Sequence, residues 1–223
     1  MSKIDRKIKA IIFDADGVIW DSETANFTIL SLILKTLYDL TLTNKLYAEY
    51  FAGRRLSEAI GSFSRAIVND VEINPDEIMK NKKKADDQWV KVISAYQDAK
   101  NLIEKARDKL RLALATGSRK NQVNLAIEKF ELANTFEVIV TAEDCQKGKP
   151  DPEPYLFAAQ KLNLSPNQIL VIEDSPIGIR SAKDAGTTCL AVTHTFSEEE
   201  LSEADVVVDD LIDFKVLVLL ELS

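Results

Sequence analysis

An α/β fold, a doubly wound parallel sheet carrying an α-helical insert, follows from three observations on this 223-residue chain. Six short apolar runs rich in Val, Ile and Leu have the length of buried strands. Amphipathic helical patterns lie between most of them, the alternation that builds a parallel sheet covered on both faces. One interval breaks the rhythm: about ninety residues separate the first run from the second, far more than a single crossover needs.

The strand-like runs are Ile8–Phe13, Leu110–Ala115, Val138–Val140, Ile169–Ile172, Thr188–Val192 and Val206–Val208. Among the helices, Ser118 is expected to cap one that carries Val123, Ala126, Ile127 and Phe130. Asp151-Pro152 reads as a cap followed by a first-turn proline, leading into Tyr155, Leu156, Ala159 and Leu162. A third helix runs from Ile177 to Ala185 and stops at Gly186. The long interval reads as helical. Phe27, Leu30, Leu34 and Leu37 form one apolar stripe, and Leu56, Ala59, Ile60, Phe63 and Ile67 another. Between them Thr43–Phe51 is a short helix closing near Gly53. Asn74-Pro75-Asp76-Glu77 is a helix start: a capping Asn, a first-turn Pro, and acids at the positive end of the dipole. The run Lys80–Lys84 reads as a solvated helix face. The expected division is a core of residues 1–19 and 96–223 with a helical insert of 20–95, joined through linkers near Trp20 and Tyr96.

Composition narrows the function. A net charge of −8 argues against a nucleic-acid binder, which would present a basic face. No apolar run is long enough to span a bilayer, and the charged N-terminus lacks a signal-peptide pattern, so a cytoplasmic protein with no membrane partner is expected. Cys145 and Cys189 match no metal-ligand spacing and read as thiols. His194 is the only histidine, which excludes a multi-histidine metal cluster.

The chemistry-bearing clusters sit at the carboxyl ends of predicted strands, where open parallel sheets bind ligands. Phe13-Asp14-Ala15-Asp16-Gly17 closes the first run. Asp14 and Asp16, two apart, are expected to project from one face of a strand end, with Gly17 turning the chain. Two close carboxylates repel unless a cation lies between them or one keeps its proton. Thr116-Gly117-Ser118, Lys147-Gly148-Lys149 and Glu173-Asp174-Ser175 follow later strands. Asp14, Asp16, Glu173 and Asp174 offer oxygen ligands suited to Mg²⁺. Thr116, with the amides around Gly117 and Ser118, can hold an anion, and Lys149 supplies a point charge. A divalent cation, a lysine, a hydroxyl and a carboxylate nucleophile together suit phosphoryl transfer.

In order and spacing these segments resemble the haloacid dehalogenase-like hydrolase superfamily. Asp14-Ala15-Asp16-Gly17-Val18-Ile19-Trp20-Asp21-Ser22-Glu23 is similar to its first motif and Leu114-Ala115-Thr116-Gly117-Ser118 to its second. Gly148-Lys149-Pro150-Asp151-Pro152 resembles the third, and Val171-Ile172-Glu173-Asp174-Ser175-Pro176-Ile177-Gly178 the fourth. The helical insert sits where the beta-phosphoglucomutase-like branch carries its cap. The resemblance implies a Rossmann-like core in which Asp14 forms an aspartyl-phosphate and Asp16 protonates the leaving oxygen, then takes a proton from water. It implies Mg²⁺ on the Asp14 side chain, the Asp16 carbonyl and Asp174, with Glu173 nearby, and phosphoryl oxygens held by Thr116 and Lys149.

Phe51-Ala52-Gly53-Arg54-Arg55 resembles the cap's specificity loop, so Arg54 and Arg55 are candidates to bind a second anionic or hydroxyl-rich part of a substrate. The mutases of this branch carry a histidine at the position of Asn26 and an arginine at that of Leu56; both departures favour hydrolysis. The expectation is a Mg²⁺-dependent phosphatase of a small phosphorylated metabolite, a sugar phosphate first, acting as a monomer or weak homodimer. The alternatives are a phosphoglycolate phosphatase and a beta-phosphoglucomutase-type mutase. A phosphorylatable receiver module is shorter and lacks an insert, and a phosphatase-derived binding protein would lack part of the catalytic set.

Overall fold

The computed structural model describes residues 8–51, 56–67 and 73–222. The chain forms two compact units, one of Met1–Trp20 with Ala95–Ser223 and one of Asp21–Ser94. In chain order the elements are β1 (Ala10–Phe13), β2 (Trp20–Asp21), α1 (Glu23–Tyr38), α2 (Asn44–Tyr50), α3 (Leu56–Ile67), α4 (Pro75–Lys84), α5 (Asp86–Val92) and β3 (Ser94–Ala95). There follow α6 (Gln97–Ala106), β4 (Arg111–Ala115), α7 (Lys120–Lys129), β5 (Val138–Val140), α8 (Glu153–Lys161), β6 (Ile169–Glu173), α9 (Pro176–Asp184), β7 (Thr188–Val192), β8 (Val206–Val208) and α10 (Phe214–Leu219).

The discontinuous unit is a Rossmann-like α/β core. Its six strands run parallel in the order β5-β4-β1-β6-β7-β8. From β1 the chain builds outward through β4 and β5, then crosses to β6 on the other side. The order therefore reverses at β1, the switch point where such sheets leave a crevice. Phe13 pairs with Leu114 on one side and Ile172 on the other. That register brings Asp14, Ala115 and Glu173 to one level, with Thr116 and Asp174 one residue beyond.

Alternation of side chains fixes what each sheet face can accept. Ala10, Ile12, Ala113, Ala115, Ile169, Val171, Cys189 and Ala191 form one buried cluster with Tyr155, Ala158 and Ala159 of α8, Leu162 just past its end, and Ile179 and Ala182 of α9. The alanines let these helices approach the sheet closely. On the opposite face α6 packs on β4, and Phe13 meets Phe136 edge-on at 6.2 Å. Burial on both faces explains why the strands read as continuous apolar runs rather than alternating ones.

The Asp21–Ser94 unit is helical. In α1 the buried residues are Ala25, Ile29, Leu30, Ile33 and Leu34, whereas Phe27 and Leu37 are only half-buried. The apolar face is thus rotated and wider than a single stripe, because both α4 and α5 pack against it. Phe27, Tyr47, Phe51 and Phe63 form a chain of ring contacts, and the Tyr47 hydroxyl donates to Glu23 Oε2 at 2.6 Å. Asn74 caps α4 as expected, and Thr43, read as the first residue of its helix, caps α2 instead. Lys80, Lys83 and Lys84 are exposed, while Lys82 is half-buried and donates to Asn26 Oδ1 at 2.9 Å.

Three local expectations are corrected. The first strand ends at Phe13, so Asp14 and Asp16 lie in the turn beyond it rather than on the strand. Ser118 does not cap the following helix: Arg119 occupies that position, and the Ser118 hydroxyl faces a carboxylate instead. Helix α8 starts at Glu153, with Asp151 Oδ1 accepting the Glu153 amide.

Asn74 accepts the amides of Asp76 and Glu77 through one exposed side-chain oxygen. Asn74→Ala should lower the stability of the helical unit by about 1 kcal/mol while Asn74→Asp preserves it. Amide hydrogen exchange across residues 75–84 reads this directly; equal protection in the two variants would contradict it.

Candidate active site at the carboxyl edge of the sheet

Four strand ends converge. Asp14 follows β1, and its amide donates to the Ile172 carbonyl at 2.9 Å, tying it to β6. Thr116 follows β4, with its amide on the Val140 carbonyl at 3.0 Å. Glu173 ends β6, and Asp174 follows it. Lys149 arrives on the loop between β5 and α8. Asp14, Thr116, Glu173 and Asp174 are all buried.

Lys149 is the centre of the charge arrangement. Its side chain is 9% exposed, and its Nζ lies 2.8 Å from Asp14 Oδ1 and 2.6 Å from Glu173 Oε1. The ammonium also lies over the Tyr155 ring, 4.9 Å from its centroid. Burial alone would depress the lysine, but Asp14 and Glu173 outweigh it and raise its pKa. It is therefore charged at any pH at which the protein works.

Glu173 is the most fully partnered carboxylate of the site. Oε1 accepts from Lys149 and from the Tyr155 hydroxyl at 2.7 Å. Oε2 accepts the amides of Asp174 and Ser175 at 2.9 and 3.1 Å and the Ser175 hydroxyl at 3.0 Å. Burial pushes Glu173 up, yet Lys149 and these donors together hold it below the usual carboxylate value. The Ser175 hydroxyl also caps α9 by accepting the Gly178 amide at 3.2 Å. Gly178 is obligatory here, because a Cβ would lie 1.8 Å from Glu173 Oε1.

Asp14 and Asp174 are in the opposite condition. Burial, the opposing pull of Lys149, and the negative charges of Glu173 and Asp16 together leave Asp14 raised to about 7. Burial and the charges of Glu173 and Asp14 raise Asp174 well above its ordinary value, against a hydrogen bond from Thr195. Gly17, at φ +80°, packs so closely here that a Cβ would meet Asp174 Oδ2 at 1.9 Å.

Oxygens of Asp14, Glu173 and Asp174 lie within 4.8 Å of one another. Asp14 Oδ1 is buried, with the Lys149 ammonium 2.8 Å away. An oxygen-only donor set and surplus negative charge fit a hard divalent cation such as Mg²⁺. Because Glu173 is already committed to five donors, Asp14 and Asp174 are the carboxylates with capacity to spare.

Asp16 is handled differently. Its Oδ2 accepts from the Ser118 hydroxyl at 2.6 Å and the Thr116 hydroxyl at 3.1 Å, and its Oδ1 from the Trp20 indole at 3.3 Å. It is half-buried and stands outside the three-carboxylate cluster. Thr116 Oγ1 in turn accepts the Ser118 amide at 3.0 Å. Gly117 is exposed, with open space where a Cβ would project. Thus Asp14, Asp16, Thr116, Ser118, Lys149, Glu173 and Asp174 are brought together, with Gly117 at the rim. Arg54 and Arg55 lie outside the described residues.

Sequence reasoning missed Tyr155, which appeared only as a helix-face residue, and the loop Thr193–Thr195. That loop follows β7 as the recognised clusters follow their strands, and this placement was its only signal.

Two predictions follow from these environments. Gly178→Ala should destabilise the core by roughly 1–3 kcal/mol by forcing Glu173 out of its seat; a denaturation midpoint equal to the parent's would show the seat to be slack. Asp14 and Asp174 bind protons more tightly folded than unfolded, so metal-free stability should fall as pH rises from the ordinary carboxylate value of 3.8 to about 7. Thermal melts should show Tm dropping across that window, Asp14→Asn flattening the slope, and Mg²⁺ restoring Tm at its upper end more than at its lower. A Tm indifferent to Mg²⁺ throughout would remove the cluster as a cation site.

Comparison with known proteins agrees with this geometry. A phosphatase of validoxylamine A 7'-phosphate from Streptomyces hygroscopicus subsp. limoneus is 28% identical over 214 residues, covering 93% of this chain and 96% of its own. A phosphorylated carbohydrates phosphatase from Thermotoga maritima is 28% identical over 194 residues, covering 86% of this chain and 88% of its own. The crystal structure of CbbY from Rhodobacter sphaeroides in complex with phosphate superposes with a TM-score of 0.84 at 26% identity, covering 96% of this chain and 99% of its own. The family model for haloacid dehalogenase-like hydrolases matches residues 11–192, and the chain belongs to that family.

Proposed function

We propose that the protein is a Mg²⁺-dependent phosphatase of a small phosphorylated metabolite, a sugar phosphate first among them, working through an aspartyl-phosphate on Asp14. The observation that carries this reading is the unequal treatment of two neighbouring carboxylates. Asp14 is paired with a buried ammonium and lies within the three-carboxylate cluster. Asp16 is held by two hydroxyls and an indole outside the carboxylate cluster. Neighbouring acids pushed into different environments are how one site obtains both a nucleophile and a proton donor.

In the proposed reaction an Asp14 oxygen attacks phosphorus as the bond to the leaving oxygen breaks, and Asp16, protonated, delivers its proton to that oxygen. Asp16 then takes a proton from water, whose oxygen attacks phosphorus and returns Asp14 as a carboxylate with release of phosphate. The Ser118 and Thr116 hydroxyls suit this cycle, because each can donate to the carboxylate form and accept from the acid. Lys149 and Thr116 bind the phosphoryl oxygens, and Glu173 holds Lys149 in place. Mg²⁺, held by the Asp14 side chain, the Asp16 carbonyl and Asp174, would offset negative charge on the phosphoryl group.

The Asp21–Ser94 unit is proposed as the cap that selects substrate, corresponding to the division into residues 1–19 with 96–223 and 20–95. The support is its point of insertion, just after the turn that carries Asp16. Arg54 and Arg55 are its candidate anion-binding residues. A carbohydrate phosphate is favoured by the name of the Thermotoga maritima relative. Hydrolysis is favoured over isomerisation by Asn26, which stands where the mutases carry a histidine and accepts a hydrogen bond from Lys82.

Hydrolysis of p-nitrophenyl phosphate tests the core of the proposal. Turnover should require Mg²⁺, vanish in Asp14→Asn and fall about 10²–10⁴-fold in Asp16→Asn. Equal release of phosphate by Asp14→Asn and the parent would sink it, and isomer formation dependent on a bisphosphate activator would assign the mutase instead.

A further inference from the structure

The loop after β7 brings a fifth strand end to the same edge, and it carries the chain's one histidine. The His194 side chain is 11% exposed. Its Nδ1 lies 2.9 Å from the carbonyl oxygen of Gly17, and its Nε2 lies 3.1 Å from Asp98 Oδ2 at the start of α6.

Both of these partners accept. A peptide carbonyl carries no proton. Burial raises Asp98, but donation from His194 and from the Leu211 and Ala99 amides prevails and holds its carboxyl below the ordinary value, so it is an anion. The Leu211 amide reaches the same Oδ2 at 3.0 Å. The imidazole is thus met at both ring nitrogens by acceptors that lie far apart in the chain. The Tyr96 ring stacks on it with centroids 3.8 Å apart and planes 15° from parallel, which fixes the plane of the ring. The other ionisable groups that the loop engages are also carboxylates: Asp174, reached by the Thr195 hydroxyl, and Asp209, which accepts from Thr193 Oγ1 at 2.8 Å.

We propose that His194 acts as a positioning residue, bridging the Gly17 carbonyl to Asp98 and thereby restraining the loop that carries Asp14 and Asp16. The strand ends at Phe13 and Gly17 takes a left-handed conformation. Within the turn the Gly17 amide donates to the Trp20 carbonyl at 2.9 Å, and the Ile19 and Trp20 amides donate to the Ala15 carbonyl at 2.9 and 3.2 Å. The His194 contact adds a tie from a different strand end. The Gly17 carbonyl follows directly on the Asp16–Gly17 peptide, so holding it restrains the carbonyl and the side chain of Asp16 together. The clamp also ties in the returning segment, since the Tyr96 amide donates to the Ile19 carbonyl at 3.0 Å.

Amide hydrogen exchange tests the bridge without reference to activity. In His194→Gln the amides of residues 17–20 should exchange several-fold faster than in the parent; parental exchange would overturn the clamp. The activity arm rests on the phosphatase reading above. His194→Gln should lower kcat on p-nitrophenyl phosphate about 10- to 100-fold with KM little changed, and a parental kcat would overturn the positioning role. Asp98→Ala, which removes one of the two partners of the imidazole, should show the same kcat loss and keeps that role open to refutation if His194→Gln does not fold. A parent enzyme without phosphatase activity would end the phosphatase reading, while exchange at residues 17–20 would still decide the clamp.

Discussion

The structure depends on one buried ammonium among carboxylates. Lys149 lies within 2.8 Å of both Asp14 and Glu173, in a place from which water is largely removed. Taking three charges out of water is costly, and the mutual attraction compensates only if the remaining lone pairs and protons are met. Most of the surrounding sequence can be understood as meeting them. Tyr155 and Ser175 donate to Glu173, the first amides after β6 turn back onto it, and Gly178 leaves room for its carboxylate. What remains unmet is confined to Asp14 and Asp174, and that residue of uncompensated charge is what a cation and a phosphoryl group would find.

Sheet topology makes such a concentration possible. A parallel sheet sends every carboxyl end to the same edge, and the reversal of strand order at β1 opens that edge on both sides of Asp14. The register of β1 with β4 and β6 sets Asp14, Ala115 and Glu173 at one level before any side chain is placed. Alanines on the inner face of the strands then let α8 and α9 close on the sheet, and it is α8 that carries Tyr155 against Glu173. Core packing and site chemistry are thus one arrangement.

The strands of the six-stranded sheet were readable in the sequence because burial on both faces leaves uninterrupted Val, Ile and Leu runs, and each lies on or within a residue of its run except at Ile8–Lys9; the two-residue β2 and β3, at the ends of the interval read as helical, are too short to leave such a run. The polar clusters were readable because they interrupt those runs at fixed places. What was not readable depends on side-chain direction. Ser118 has the composition of a helix cap, but a nearby carboxylate competes for its hydroxyl and Arg119 takes the cap position. Tyr155 has the spacing of a core residue and is one; that its hydroxyl reaches Glu173 follows from tertiary packing alone. The apolar face of α1 was misjudged because two helices cover it, which periodicity within α1 cannot reveal. His194 was noticed as the only histidine, yet its partners lie 177 and 96 residues away in the chain.

The difference between Asp14 and Asp16 follows from where the strand stops. Had β1 continued through Asp16, both carboxylates would project from one face into the same surroundings, and like charges would force them to share a proton or a cation. Because the strand ends at Phe13, the chain turns through Gly17 and the Asp16 carboxylate falls between the Trp20 indole and the hydroxyls of Thr116 and Ser118. Two residues apart in sequence, the acids are separated in environment by a turn, and the Gly17 carbonyl of that turn meets an imidazole on the loop after β7.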